Sequence, residues 1–174
     1  MIDGERLRLR EPREGDVPVL AELRNDLEVQ RLILSRGRPN SLRRVQAWID
    51  RVSNAEDAVL FVVADERDEP LGFVQVAGLD FVNGHGRLGI AIVEAARGVG
   101  GGREAVQLVG RYVREVFNLR KLVLEVAASN AAAIAAYEGV GFRRVGVLTD
   151  HVVYGGVPSD VLIMEWMLPG RRPL

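Results

Sequence analysis

The stretch Ala96–Ala105 reads ARGVGGGREA, with glycine at four of the five positions Gly98–Gly102 and an arginine on either side, Arg97 and Arg103. It stands immediately before a run of helical spacing. The N–H groups that open a helix have no internal partners, and the helix dipole places about half a positive charge among them. Glycines there remove side chains that would hold a ligand away, and they permit positive φ. Such a loop is a cradle for phosphate. The same composition would also serve a loose connection or a close contact between helix and sheet.

The kind of phosphate can be narrowed. A nucleoside triphosphate site asks for G-x-x-x-x-G-K-[ST], and the chain contains no Gly-Lys pair, so that reading is excluded. Gly100-x-Gly102-x-x-Ala105 does fit the dinucleotide pattern, with Glu125 following late in a strand. In that pattern, however, the strand runs almost directly into the first glycine. Here Glu94 to Val99 intervene between Val93 and Gly100, and repeated βαβ units are missing.

Composition sets the outer bounds. With 174 residues, 48% of them hydrophobic, the chain is expected to form one domain over 1–174 that buries a core without a metal or disulfide staple. Cysteine is absent, which excludes disulfides, Cys-ligated zinc and a thiol nucleophile. A formal net charge of −1 argues against nucleic acid or a membrane surface as partner. The longest apolar runs, such as Ala58 to Ala64, are too short to span a bilayer, and MIDGERLRLREPRE lacks the apolar core of a signal peptide. A cytoplasmic location is expected. All the basic residues except Lys121 are arginine, so a lone arginine carries little information about function.

Working outward from the glycines, alternation over Glu5–Arg10 predicts a strand, and Asp16 is placed to cap a helix ending near Asn25. Asp26–Asn40 reads as irregular and arginine-rich. Ser41 caps a second helix carrying Val45, Trp48, Ile49 and Val52. Three strands in meander follow, Ala58–Asp65, Leu71–Asp80 and Arg87–Val93. The glycine-headed helix runs to about Phe117, Lys121–Val126 forms a buried strand, and Asn130 caps a helix to Val140 that Gly141 ends. Phe142–Leu148 and Val161–Leu168 close the chain as a hairpin around Tyr154–Asp160. The order β-α-α-β-β-β-α-β-α-β-β predicts an α/β fold of the mixed-sheet, α+β kind. Its first half is antiparallel, with a parallel crossover through the glycine-headed helix.

Two segments then agree. Arg97-x-x-Gly100-x-Gly102 resembles the R/Q-x-x-G-x-G/A pyrophosphate loop of the GNAT acetyl-CoA-dependent N-acetyltransferases. Ala128–Phe142, ASNAAAIAAYEGVGF, resembles that superfamily's segment S/E-N-x-x-A-x-x-x-Y-x-x-x-G-F, with Asn130, Ala133, Tyr137, Gly141 and Phe142 in register. The opening GERLRLREPREGD, the NDLEV of Asn25–Val29 and the ending YGGVPSDVLIMEWML look like the Rim-type and diamine-acetyltransferase branch. The resemblance covers nearly the whole chain.

The resemblance implies acetyl-CoA as co-substrate, no metal, and direct transfer of acetyl to a primary amine. Main-chain groups of Gly98, Val99, Gly100, Gly101 and Gly102 would bind pyrophosphate, with charge from Arg97 and Arg103. Ile90, Ala91, Ile92 and Val93 would pair with the pantetheine arm, one N–H near Ile92 facing the thioester carbonyl. Tyr137 would hold the proton that the departing thiolate takes, unless it merely packs beside Ile134. Asn130 would add a contact to a pantetheine amide to its work as a cap. The base stays open among Glu94, Glu125, His151 and an ordered water, while His85 in NGHG serves a turn.

In that superfamily the acceptor pocket is walled by the first helix pair and the last hairpin, which implies Asn25–Arg44 and Asp150–Asp160 here. The first wall carries Arg31, Arg36, Arg38, Arg43 and Arg44, which form either a solvated loop or a functional wall. The latter disfavours polyamines and suits an amine on a neutral or acidic carrier: a protein α-amine, an amino sugar or an amino acid derivative. Many members of the superfamily are homodimers, and the resemblance extends that expectation here. Two other functions stand beside this one, a non-catalytic acetyl-CoA sensor, against which Tyr137 speaks, and a dinucleotide-binding oxidoreductase.

Overall fold

Strand β3 (Ala58–Ala64) shows how the layers arise. Successive side chains of a strand point to opposite faces, so Phe61 and Val63 enter one core while Leu60, Val62 and Ala64 enter another. Every second position is apolar on both faces, so helices must cover both. The computed structural model describes residues 1–35 and 37–170. Arg36 and residues 171–174, which belong to a tail expected to hang free, lie outside the described residues.

The elements are β1 (Ile2–Asp3), β2 (Arg8–Arg10), α1 (Val17–Asn25), α2 (Leu27–Leu32), α3 (Leu42–Ser53) and β3. They continue with β4 (Pro70–Asp80), β5 (His85–Ile92), α4 (Gly101–Phe117), β6 (Lys121–Ala127), α5 (Ala131–Val140), β7 (Arg143–Tyr154) and β8 (Val157–Met167). They form one sheet in the order β1-β2-β3-β4-β5-β6-β8-β7. Within it β5 and β6 run parallel and the other neighbours antiparallel. The parallel pair spans α4, as the expected crossover requires.

One core lies between the sheet and the helices α4 and α5. Helix α4 contributes Ala105, Val106, Leu108, Val109 and Val113 at helical spacing, packed with Leu122, Leu124, Met164 and Trp166. The second core packs Leu20, Leu23, Val45, Trp48 and Ile49 of α1 and α3 on Val62 and Phe73. Trp48 and Phe73 meet edge to face at 4.8 Å. Fully burying a side chain such as Val62 contributes about 1.5–3 kcal/mol.

Four expectations need correction. The strand expected over Glu5–Arg10 keeps only Arg8–Arg10 (β2), because Gly4–Leu7 forms a turn to β1, which pairs antiparallel with β2, and the Glu104 carboxylate, on α4, accepts from the N–H groups of Glu5 (2.6 Å) and Arg6 (3.0 Å). Asp16 does not cap α1. Its carboxylate is taken by the Arg10 guanidinium, at 2.7 and 2.8 Å, and by Arg13 N at 2.7 Å. The segment read as irregular contains α2, capped by Asp26, whose Oδ1 accepts from Glu28 N and Val29 N. The closing hairpin is longer than expected, because Gly155 and Gly156, at φ 59° and 82°, make a two-residue turn whose twist lets pairing continue to Tyr154 and Val157.

Candidate active site

Strands β5 and β6 pair only at His85–Lys121, Gly86–Leu122 and Arg87–Val123. Beyond Arg87 they part, and a cleft of about 980 Å³ opens between them. Val93 N donates to Leu71 O, which fixes the alternation along β5. Gly89, Ala91 and Val93 turn their main-chain groups to β4. Leu88, Ile90 and Ile92 turn theirs to the cleft. Of the four β5 residues named for the cofactor arm, Ile90 and Ile92 thus offer backbone groups on the open side. Ala91 lines the cleft by position, and Val93 binds back to Leu71.

At the far end of β5 a short turn at Glu94–Ala96 leads into the glycines. Gly98 and Gly100 sit at φ 74° and 91°, where a side chain is strained, and no atom lies within 4 Å of a Cβ built on Gly98. The first bond within α4 runs from Glu104 N to Gly100 O, so the N–H groups of Gly101, Gly102 and Arg103 open the helix without partners inside it. Gly98, Gly100, Gly102, Arg97 and Arg103 line the cleft. Gly101 is buried instead, 3.0 Å from Ala96 O at its would-be Cβ, and Val99 points to solvent with its carbonyl accepting from Arg6 Nη1 at 2.8 Å. Arg97 Nε donates to Ile92 O at 3.0 Å and so ties the loop to the strand end. The Arg103 guanidinium lies over Gly139 of α5, with Nη1 3.5 Å from that residue's would-be Cβ.

On the opposite wall Asn130 Oδ1 accepts from Ala133 N at 3.1 Å and caps α5, as its place in the sequence predicts. Among the described residues its amide nitrogen has no partner. Tyr137 stands on α5 with its ring against Phe142, centroids 5.7 Å apart, and its side chain lines the cleft. Burial pushes its phenol up to about 12, so it keeps its proton throughout the neutral range.

The candidates for a base separate cleanly. Glu125 lines the cleft from β6, 3.6 Å from Arg87. Glu94 is exposed beside the loop, and His151 is exposed on β7 and is not among the residues of the wall. His85 pairs with Asp80 at 3.6 Å across the β4–β5 turn, as its sequence context suggested.

The acceptor end is walled by Glu28, Val29, Arg31, Leu32, Ile33 and Leu34. The β7–β8 hairpin reaches over it, Tyr154 Oη donating to Arg31 O at 3.1 Å. Sequence reasoning did not find Gln75, whose Oε1 is buried without a partner at the cleft. Nor did it find Arg6 and Glu104, which brace the glycine loop. Alternation along β4 marks Gln75 as the polar position in an apolar run; nothing local marks Arg6 or Glu104.

A cleft between splayed strands, headed by a glycine loop and faced by a tyrosine, can be set beside known proteins. Residues 6–143 match the family model described as an acetyltransferase (GNAT) domain. The chain belongs to the GNAT acetyltransferase family. Among curated GNAT relatives it is 29% identical to the spermidine N(1)-acetyltransferase of Vibrio cholerae over 101 residues, which is 58% of either chain. It is 36% identical to an N-alpha-acetyltransferase of Sulfurisphaera tokodaii over 66 residues, covering 38% of this chain and 40% of that one. The chain thus spans little more than half the length of the first of these relatives. In three dimensions it superposes on the V. cholerae spermidine N-acetyltransferase in complex with CoA and spermine with a TM-score of 0.87. That match has 23% identity and covers 95% of this chain and 97% of that one. A dodecameric structure of the same V. cholerae enzyme also matches, with a TM-score of 0.79, 23% identity and 95% coverage of both chains.

Among the described residues, no helix is long and apolar enough to cross a membrane.

Proposed function

We propose that this protein transfers the acetyl group of acetyl-CoA directly to a primary amine. The observation that carries the reading is the joining of three features on one cleft: main-chain groups of Ile90 and the N–H of Ile92 that β6 does not take up among the described residues, the glycine loop at a helix start, and Tyr137.

The residues fit the co-substrate. A phosphate at the loop would meet the N–H groups of Gly98–Arg103 with Arg97 and Arg103 near, and no carboxylate lines that end of the cleft among the described residues. An extended pantetheine arm would continue the sheet along β5, and Asn130 Nδ2 is free to bond one of its amides. In the reaction the amine nitrogen bonds to the thioester carbonyl carbon and the C–S bond breaks. The Ile92 N–H stabilises the oxygen that gains charge, an effect of roughly 3–4 kcal/mol for donors of this kind. Tyr137 Oη donates to the departing sulfur. Glu125, directly or through water, takes the proton that the amine loses.

For the acceptor we propose an amine on a neutral or acidic carrier. The V. cholerae relative is named for spermidine; here the acceptor end of the cleft carries Arg31 along with Glu28, and Arg24 and Arg38 line a second cavity that shares Ile33 with it, a cationic surrounding that disfavours a polycation. A homodimer or larger oligomer fits the long edge strand β7, with Val145, Val147 and Val153 exposed.

Calorimetric titration with acetyl-CoA, with NADH as control, tests the donor site. Saturable binding of acetyl-CoA alone supports it, and binding of NADH instead, or of neither, refutes it. Thiol release then screens acceptors without background, since the protein has no cysteine. Spermidine belongs in that screen, and turnover of spermidine in preference to neutral or acidic amines refutes the acceptor reading.

A further inference from the structure

The acceptor half of the molecule leaves positive charge unanswered. Arg24 closes the last turn of α1, its guanidinium 4.3 Å from the centroid of the Trp48 ring. Its Nε is buried and has no hydrogen-bond partner among the described residues. Beside it is a cavity of about 100 Å³ lined by Arg24, Ile33, Ser35, Arg38 and Asn40.

The carbonyl groups that a guanidinium would find here are already occupied. Arg24 O accepts from Gln30 Nε2 at 2.7 Å and Asn40 Nδ2 at 2.8 Å. Arg38 O accepts from the same two amides at 2.9 and 3.0 Å. Gln30 O accepts from Ser35 N and Ser35 Oγ. Gln30 and Asn40 are 3% and 7% exposed, so this amide frame is fixed. Among the described residues no carboxylate pairs with Arg24 or Arg38. Burial and the like charges of Arg38 and Arg51 pull the Arg24 pKa below its ordinary value. Arg24 is half-buried, with the Trp48 ring against its guanidinium and a buried Nε left without a partner among the described residues, and Arg38 is exposed at the rim; two arginines at a preformed cavity suit an anion.

We propose that this cavity is an oxyanion site, taking a single phosphoryl or carboxylate group through Arg24 and Arg38. Its size sets the limit. A cavity of about 100 Å³ has room for one such group. Ile33 lines both this cavity and the acceptor end of the main cleft. The oxyanion is therefore either a free ion bound beside the acceptor or the acidic end of the acceptor itself. The second case rests on the proposed acetyltransferase activity; the binding site does not.

Inorganic phosphate, and in parallel acetate, is titrated calorimetrically into the full chain and into three variants: Arg38→Gln at an exposed position, Arg24→Met, which keeps a long side chain over Trp48, and Arg97→Gln, which reports on the glycine loop. Saturable binding is expected in the wild type and in Arg97→Gln, weakened at least about tenfold in the other two. Binding lost in Arg97→Gln but kept in Arg38→Gln overturns the proposal, as does no saturable binding of either anion to the wild type. Thiol release with 2-aminoethyl phosphate and with ethylamine then separates the sources. A lower KM for the phosphate amine that Arg38→Gln abolishes makes the oxyanion part of the acceptor, and equal KM values make it a free ion. Failure to acetylate either amine counts against the proposed activity on them and leaves the binding result standing.

Discussion

The two sides proposed for donor and acceptor are built by different means. The side proposed for the donor presents backbone: the groups of Ile90 and the N–H of Ile92, the positive-φ glycines and the start of α4. The side proposed for the acceptor is built on side chains that lie behind the cleft wall: the Arg10–Asp16 pair that ties β2 to the start of α1, the Gln30 and Asn40 amides, and the guanidinium of Arg24 at the neighbouring cavity. A backbone site tolerates wide change in side chains but almost none in glycine placement. A side-chain site changes its specificity with each substitution. The contrast fits a family that shares one donor and varies the acceptor.

Three substitutions would break this division if it is wrong, and the largest effect is expected at Tyr137. Tyr137→Phe removes the proton held opposite the glycine loop and is expected to lower kcat by about 10²–10⁴. Acetyl-CoA affinity, read by calorimetry, should stay unchanged because the ring still packs on Phe142. A fall in affinity with kcat intact would make Tyr137 a wall rather than a proton donor.

Asp16→Ala strikes the other half. Arg10 is 3% exposed and would lose its buried partner, which costs about 3–5 kcal/mol in a denaturation curve. The folded fraction should still bind acetyl-CoA with native affinity, because no donor group touches Asp16. Gly100→Glu does the reverse. It sets a carboxylate and a strained φ into the phosphate cradle, and acetyl-CoA affinity should drop at least about 100-fold while stability falls by about 1–3 kcal/mol, less than in Asp16→Ala.

The same division explains what the sequence made legible. Glycines at 98, 100 and 102 announce a turn into an open helix start because the physics that needs them is local: positive φ at Gly98 and Gly100, and N–H groups without partners inside α4. Asn130 and Ser41 cap their helices as read, again through contacts within three residues. Asp16 looked like another cap and is not, because Arg10 and Arg13 compete for its carboxylate. Helix α2 was missed since six residues carry too little periodicity against an arginine-rich background. The turn that takes Glu5–Leu7 out of the first strand was missed because Glu104, about a hundred residues away, binds its N–H groups. The oxyanion cavity is of this second kind: Arg24, Ser35 and Arg38 become a group only after Gln30 and Asn40 have folded the loop.

A smaller effect tests whether Tyr137 is as buried in solution as its packing implies. Its phenol titrates at about 12 in the folded protein and near 10 in an unfolded chain, so the fold favours the protonated form. The contribution is present in full below pH 10 and is lost as pH rises from 10 through about 12, where only the unfolded chain gains from ionising. Denaturation midpoints of the wild type should fall across that window, and Tyr137→Phe should remove part of the fall. Equal slopes for the two proteins would mean an ordinary, solvated phenol.

The finest test concerns Asn130, where the two means of holding meet in one side chain. Its oxygen serves the fold by capping α5, and its nitrogen is the part available to the pantetheine arm. Asn130→Ala removes both and should cost about 1 kcal/mol of stability along with affinity. Asn130→Asp keeps an oxygen acceptor for Ala133 N, and its charge suits a helix start, so stability should hold. The N–H donor is gone, however, and one lost hydrogen bond predicts a KM for acetyl-CoA raised roughly two- to tenfold. If Asn130→Asp leaves both stability and KM alone, Asn130 is a cap and nothing more, and the donor half grips its ligand through the backbone and the flanking arginines alone.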